Sequence, residues 1–234
     1  MPSQDDAPTE LLLAVGSGNF HKVEEIAAAL SGIAGPRGLK IRVLGKSAFP
    51  PGPEPLETGA TFAENAQIKA LSYAGLAAQL PPEKRPFWVL ADDSGLSVDA
   101  LGGAPGVRSA RYAGENATDG DNNALLLRNL AQVPQPERGA EFVCSLCLVL
   151  VSPKADQPHT VVLEAEGRCR GMILPAQRGS GGFGYDPLFL VPSLGKTFAE
   201  LSTDEKNALS HRGRALQALR ERLPQVLAKL QENP

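Results

Sequence analysis

The chain has 234 residues, 42% hydrophobic and 21% charged, which suits a soluble globular protein and allows one large domain or two lobes around a cleft. Its net charge of −3 gives no global basic field for a nucleic-acid duplex, so a polyanionic ligand would have to be held by local cations or a metal. No apolar run reaches the roughly 18–20 residues that span a bilayer, and Met1–Glu10 is polar and acidic, unlike a signal peptide; the expectation is a disordered tail over 1–10 and a cytoplasmic protein.

Leu11–Val15 reads as a short buried strand that stops at the turn Gly16-Ser17-Gly18-Asn19. A helix follows over about 21–30, with Val23, Ile26, Ala27 and Leu30 on one stripe. Lys40–Leu44 is a second strand, and the proline- and glycine-rich stretch 45–60 is a loop. Thr61–Gln79 is a helix whose start has capping-box spacing, Thr61-x-x-Glu64. Phe87–Ala91 is a strand running into Asp92-Asp93-Ser94-Gly95, with glycine-rich loop beyond it to about 117 and a helix over 121–130. Glu141–Val151 and Thr160–Arg170 are strands joined by a polar turn, an antiparallel hairpin. A second glycine-rich loop covers 175–187, and a last helix runs from near Thr203 to about Leu230 with Leu209, Leu216, Leu219, Leu223 and Leu230 on its stripe. Strands alternating with helices, then pairing as a hairpin, predict an α/β fold with a mixed central sheet. Nothing marks an internal repeat or a linker, so 11–234 reads as a single domain.

Cys144 and Cys147 sit three apart on a predicted strand, so they point to opposite faces and cannot share a metal or a disulfide; they read as small core residues. His21, His159 and His211 show no zinc-ligand spacing.

Four constellations could carry chemistry. The first is the turn Ser17-Gly18-Asn19-Phe20-His21-Lys22 ahead of a helix, where free amides, a close-approaching glycine backbone and Lys22 could cradle phosphate; an ordinary strand–helix turn fits equally. The second is the pair Asp92 and Asp93 at the predicted end of an apolar strand, where α/β folds place ligands. Neighbouring strand side chains point oppositely, so one of the two faces the cleft, and hard carboxylates suit Mg²⁺ when phosphates supply its other ligands; a backbone-bonding Asp turn is the alternative. Of the nearby acids, Glu64 has a structural role in the capping box, which makes Glu57 the better metal ligand of the two. The third is the loop Phe183-Gly184-Tyr185-Asp186, where aromatics could stack a base and Asp186 accept from it, or else plug the core. The fourth is Lys206, Ser210, His211, Arg212 and Arg214 on the last helix, a ligand face or a solvated basic one. Counted from Leu209, His211 falls about 200° from the apolar stripe and is not expected in the core.

The segments AVGSGNFHKVEEI (14–26), ETGATFAENAQIKA (57–70), LADDSGLSVDALGGAPGVRSARYAG (90–114), GSGGFGYDPLF (179–189) and FAELSTDEKNALSHRGRAL (198–216), in this order, resemble the inosine/xanthosine triphosphate pyrophosphatase family. The resemblance runs from about residue 11 to residue 220. It implies an elongated mixed sheet flanked by helices, two lobes around a nucleotide cleft, and a homodimer. It also implies Mg²⁺-dependent hydrolysis of a purine nucleoside triphosphate to monophosphate and pyrophosphate. Carried onto this chain, Ser17, Gly18, Asn19, Phe20, His21 and Lys22 would hold the triphosphate. Asp93 would bind Mg²⁺ and act as or position the general base, with Glu57 beside it. Ser94 would touch substrate, and Phe183, Gly184, Tyr185 and Asp186 would frame the base. Lys206, His211 and Arg212 would meet phosphate and the purine's keto edge. The family usually has Thr where this chain has Ser17. A broader nucleotide pyrophosphatase and a non-catalytic nucleotide-binding regulator are the rival readings; the presence of Asp92, Asp93 and Glu57 weighs against the regulator.

Overall fold

The computed structural model describes residues 10–33, 40–152 and 157–232. The expected tail over 1–10 lies outside the described residues except for Glu10, which opens the first strand. Seven strands form one mixed sheet. β1 (Glu10–Val15) pairs in parallel with β2 (Lys40–Leu44) and β3 (Trp88–Val98). β3 then pairs antiparallel with β4 (Gly139–Leu150), and β4 with β5 (Thr160–Ile173), which is the predicted hairpin. The short strands β6 (Phe189–Val191) and β7 (Lys196–Thr197) extend that edge.

The period-two alternation of the strands sorts the core onto two faces. Leu13, Val15, Leu90, Cys144 and Leu146 point to one face. It is covered by α1 (Phe20–Leu30) and α5 (His211–Glu232) through Ile26, Leu216, Leu219 and Leu223. Ala14, Val89, Ala91 and Cys147 point to the other, against α2 (Phe62–Ala77). The two cysteines thus part as expected, both buried and free. Alanines 66, 70, 74 and 77 line the buried side of α2, and such small side chains let the helix lie close to the sheet. A third cluster, with Leu96, Val98, Phe142, Phe189 and Phe198, fills the far end of the sheet. There α3 (Asp119–Asn129) contributes Leu126.

Two expectations need correction. Asp92-Asp93-Ser94-Gly95 is neither a turn nor a strand end: Asp92 pairs with Leu146, Asp93 with Ser145, Ser94 with Cys144 and Gly95 with Val143 in the middle of β3. The continuous β4 partner overrides the local turn preference of Asp and Gly. On its other side β3 pairs with β1 only as far as Leu90, and beyond that point no strand flanks residues 91–95 among the described residues. This is the edge at which the sheet switches from parallel to antiparallel pairing, a place where a ligand can reach both faces.

The last helix is also not continuous. α4 (Thr203–Leu209) ends at Ser210, whose backbone is extended (φ −68°, ψ 161°), and the Ser210 hydroxyl accepts from Gly213 N at 3.0 Å to start α5. Glycine at 213 permits this tight junction, since a Cβ there would collide with the Asn207 carbonyl. The helical phase counted from Leu209 therefore does not carry across the break. His211 is buried and its ring stacks on Phe142, centroids 4.6 Å apart. Gly167 of β5 fixes the start of α5, because a Cβ there would run into the His211 carbonyl and the Ala215 amide. Leu216, Leu219 and Leu223 are buried as the stripe required; the Leu230 side chain lies outside the described residues.

Candidate active site

Asp92 and Asp93 are adjacent on β3 and organise opposite faces of the sheet. On the α2 face, Asp93 accepts from Lys69 Nζ at 2.8 Å and from Asn65 Nδ2 at 3.2 Å. Lys69 Nζ also lies 3.1 Å from Glu57, which Arg111 approaches at 3.3 Å. Asn65 and Lys69 are one helical turn apart and so reach the same spot. Asn65 Oδ1 accepts from Gly59 N at 2.8 Å, which ties down the loop that carries Glu57. Burial pushes the Asp93 carboxyl above its ordinary value against the pull of Lys69. Burial works against the charge on Lys69 as well, but Asp93, Asp92 and Glu57 outweigh it and keep Lys69 an ammonium. Glu64 is committed to the capping box with Thr61, as its spacing predicted.

On the α1/α5 face, Asp92 Oδ2 accepts from Lys22 Nζ at 2.7 Å and from the Ser94 hydroxyl at 3.0 Å. Arg212 Nη2 stands 3.7 Å away, and Arg212 Nη1 pairs with Glu25 at 2.7 Å. Burial opposes ionisation of Asp92, yet Lys22, Arg212 and Lys69 together hold it well below the usual carboxylate range. Of the six buried side-chain polar atoms without a hydrogen-bond partner among the described residues, three belong to this face: Asp92 Oδ1, His211 Nδ1 and Arg212 Nε. Native interiors rarely leave such groups unpaired, so their clustering marks where a polar ligand would be met.

Between the two faces runs the turn after β1. Gly16 abuts the ring of Tyr73 on α2, where a Cβ would collide. The Ser17 hydroxyl accepts from Asn19 N at 3.2 Å, and Asn19 Oδ1 accepts from Lys22 N at 3.4 Å to cap α1. The turn is thus a built helix N-terminus, with Gly18 exposed at its tip. Phe20 projects into solvent, and the His21 side chain lies outside the described residues.

The second glycine-rich loop divides its residues between both readings of it. Tyr185 is buried and donates to Ser109 O at 2.8 Å, a core plug. Gly184, at φ 61°, is held from both sides by α3: its N–H donates to Asp119 at 2.7 Å and its carbonyl accepts from Asn123 at 2.9 Å. Asp186 accepts from Phe183 N at 2.9 Å and from Lys206 Nζ at 2.6 Å, so its Oδ2 is engaged within the protein. Phe183 alone offers a partly open ring, with Lys206 Nζ 4.9 Å and Arg212 Cζ 5.8 Å from its centroid. It lines a cleft of about 470 Å³ with Glu25, Phe198, Lys206 and Asn207. A larger hollow of about 650 Å³ beside α3, lined by Asp121 and Arg128, touches none of these groups.

The structure therefore brings Asp93 and Glu57 together on one face and Lys22, Ser94, Lys206, His211 and Arg212 together on the other side of β3. Sequence reasoning missed Asn65 and Lys69 as their organisers; their signal was two polar residues four apart on an otherwise alanine-lined helix. It also missed Glu25, Asp119 and Asn123.

His211 yields one test. Burial, then the charges of Arg212, Lys206 and Lys22, push its imidazole well below its ordinary value, so it stays neutral in the fold. In the unfolded chain it gains a proton below about pH 6.5. The unfolded state then binds the extra proton, and stability drops as pH falls through that value. Urea unfolding between pH 7.5 and 5.5 should show a smaller loss of stability for His211→Gln than for the parent. Equal slopes would mean that His211 is not held neutral.

A sequence model of the Ham1 family matches residues 13–222. A protein named dITP/XTP pyrophosphatase from Geobacillus kaustophilus is 46% identical over 215 residues, 92% of this chain and 95% of its own. Another of that name from Geobacter sulfurreducens is 48% identical over 211 residues, 90% of this chain and 96% of its own. Among solved structures, a HAM1 protein from Coxiella burnetii superposes with a TM-score of 0.75 at 40% identity, covering 92% of this chain and 99% of that one. A nucleoside-triphosphatase / dITP/XTP pyrophosphatase from Mycobacterium abscessus gives 0.65 at 39%, covering 89% and 97%.

Proposed function

The chain belongs to the Ham1 family, and on that premise we propose that it hydrolyses non-standard purine nucleoside triphosphates such as ITP, dITP and XTP to the monophosphate and pyrophosphate. That reaction would clear deaminated purines from the nucleotide pool. The observation that carries the reading is the division of labour across β3. Asp92 gathers Lys22 and Arg212 on the face of the Phe183 cleft, Asp93 gathers Lys69 and Glu57 on the other, and the phosphate turn spans the open edge between them. A nucleotide with its base by Phe183 and its phosphates along the turn would pass from one carboxylate to the other.

The amides at the start of α1, with Lys22 and Lys206, bind and orient the triphosphate; a geometry held in advance is what phosphoryl chemistry asks of a protein. Asp93 accepts the proton of the water that attacks the α-phosphorus, and pyrophosphate leaves as the α–β bridge breaks. Lys69 holds that carboxylate in place. The donor set also fits Mg²⁺: Lys69 shows that Glu57 and Asp93 converge on one cation, and Mg²⁺ needs few protein ligands when phosphates and water supply the rest. Asp93 and Glu57 would hold the ion, which when bound supplies neutralisation of phosphate charge.

Base choice rests on His211 and Arg212. Their partnerless nitrogens match a 6-keto acceptor, and the amino group of adenine would leave donors buried and unsatisfied, which selects strongly. Guanine shares the keto group, so this pair sorts ITP from ATP and GTP is sorted by another contact. The homodimer and the two lobes come to the reading by family resemblance, and a cytoplasmic location and a single domain over 11–234 complete it; sedimentation of the purified protein checks the dimer. No helix among the described residues is long and apolar enough to cross a membrane.

The test is product analysis with ITP and Mg²⁺. IMP and pyrophosphate are expected. IDP and phosphate would place the cleavage at the wrong bond, and tight binding of ITP without turnover would favour the regulator.

A further inference from the structure

Lys46 lies in the stretch 45–60 that follows β2 and belongs to none of the site groups described above. It opens a one-turn 3-10 helix, Lys46–Ala48, between β2 and the proline-rich loop. Its stem lies over the phosphate turn: a Cβ built on Gly18 would sit 3.8 Å from Lys46 Cδ and 4.0 Å from Nζ. The ammonium is ion-paired with Glu54, whose second oxygen accepts the Tyr73 hydroxyl at 2.9 Å. Tyr73 is the residue whose ring abuts Gly16 at the other end of the same turn. Lys46, Glu54 and Tyr73 thus brace the turn from the side of α2, the side that carries Glu57, Lys69 and Asp93. The turn's own cation, Lys22, is drawn to the opposite face by Asp92.

We propose that Lys46 is a further phosphate-binding residue, contacting the substrate's triphosphate on the α2 side of the turn. The proposal rests on the function inferred above for what the turn holds. The pair with Glu54 does not forbid it. Lys46 and Glu54 side chains are 46% and 64% exposed, and ion pairs so exposed are worth little. A triphosphate carries several charges where Glu54 carries one, so it outcompetes the carboxylate for the ammonium. Glu54 then keeps its bond to Tyr73.

This assigns opposite signs to the two partners. If the pair merely braced the loop, removing either side chain would do the same harm. If Lys46 binds phosphate and Glu54 competes with it, Lys46→Ala weakens binding and Glu54→Gln does not. The probe is inorganic tripolyphosphate, titrated calorimetrically into the full chain. Lys46→Ala should bind about five- to twentyfold more weakly, the range for one partly exposed charge-assisted contact. Lys46→Arg should recover most of the loss, and Glu54→Gln should bind at least as tightly as the parent. Both residues are on the surface, so melting temperatures should barely move. Unchanged affinity in Lys46→Ala, equal weakening in Glu54→Gln, or no binding by the parent overturns the proposal. ITP cleavage by the same proteins is read separately: Lys46-dependent tripolyphosphate binding in a protein that leaves ITP intact would keep the contact and sink the pyrophosphatase reading.

Discussion

Replacing Asp93 by Asn should lower kcat for ITP by about 10²–10⁴-fold, the usual loss when a positioned general base is removed, and should leave the fold intact. The amide is nearly isosteric and keeps an oxygen for Lys69, losing only the 3.2 Å bond that Asn65 makes to the other carboxylate oxygen. Lys69 retains Glu57 at 3.1 Å, so no cation is left stranded. Steady-state hydrolysis of ITP checks the first half and thermal melting the second. A variant within tenfold of the parent rate would remove Asp93 from the chemistry. A variant that unfolds would mean that Asp93 holds the α2 face together instead of serving the site.

Much of this site was legible in the sequence because the signals were local. Thr61 and Glu64 have capping-box spacing, and the box forms. Strand alternation alone said that Asp92 and Asp93, and Cys144 and Cys147, must part to opposite faces. What was not legible depends on distant chain. Asp-Asp-Ser-Gly has the composition of a turn and becomes mid-strand only because β4, some fifty residues later, pairs along its whole length. The helix break at Ser210 was hidden because Ser, His and Arg are all tolerated in helices. It is set by Gly213 packing on the Asn207 carbonyl and by Gly167 of β5 admitting the start of α5. The burial of His211 follows from that break and from no property of its own. Lys46 could not be singled out at all: a lysine in a proline-rich loop acquires meaning only when the loop folds back over Gly18.

Asp92→Asn should show the reverse of Asp93→Asn: a loss of stability of about 3–5 kcal/mol, the cost of stranding buried charge when one partner of an ion pair is removed. Lys22 and Arg212 both lean on Asp92, at 2.7 and 3.7 Å. Glu25 still partners Arg212, but among the described residues Lys22 forms an ion pair with no other carboxylate. The folded carboxyl is held well below the usual range, which fixes the pH dependence. A depressed carboxylate contributes fully above its unfolded value, near about 3.9, and loses that contribution as pH falls toward its folded value. The gap between parent and variant in urea unfolding should therefore be constant from pH 7 to 5 and narrow below about pH 4. A gap under about 1 kcal/mol at neutral pH, within the range of an exposed pair, would mean that the cations find water instead of Asp92. Two consecutive aspartates giving crossed signatures, one kinetic and one thermodynamic, would follow directly from their pointing to opposite sides of one strand. The same signature from both would place them in a common site and undo the division across β3.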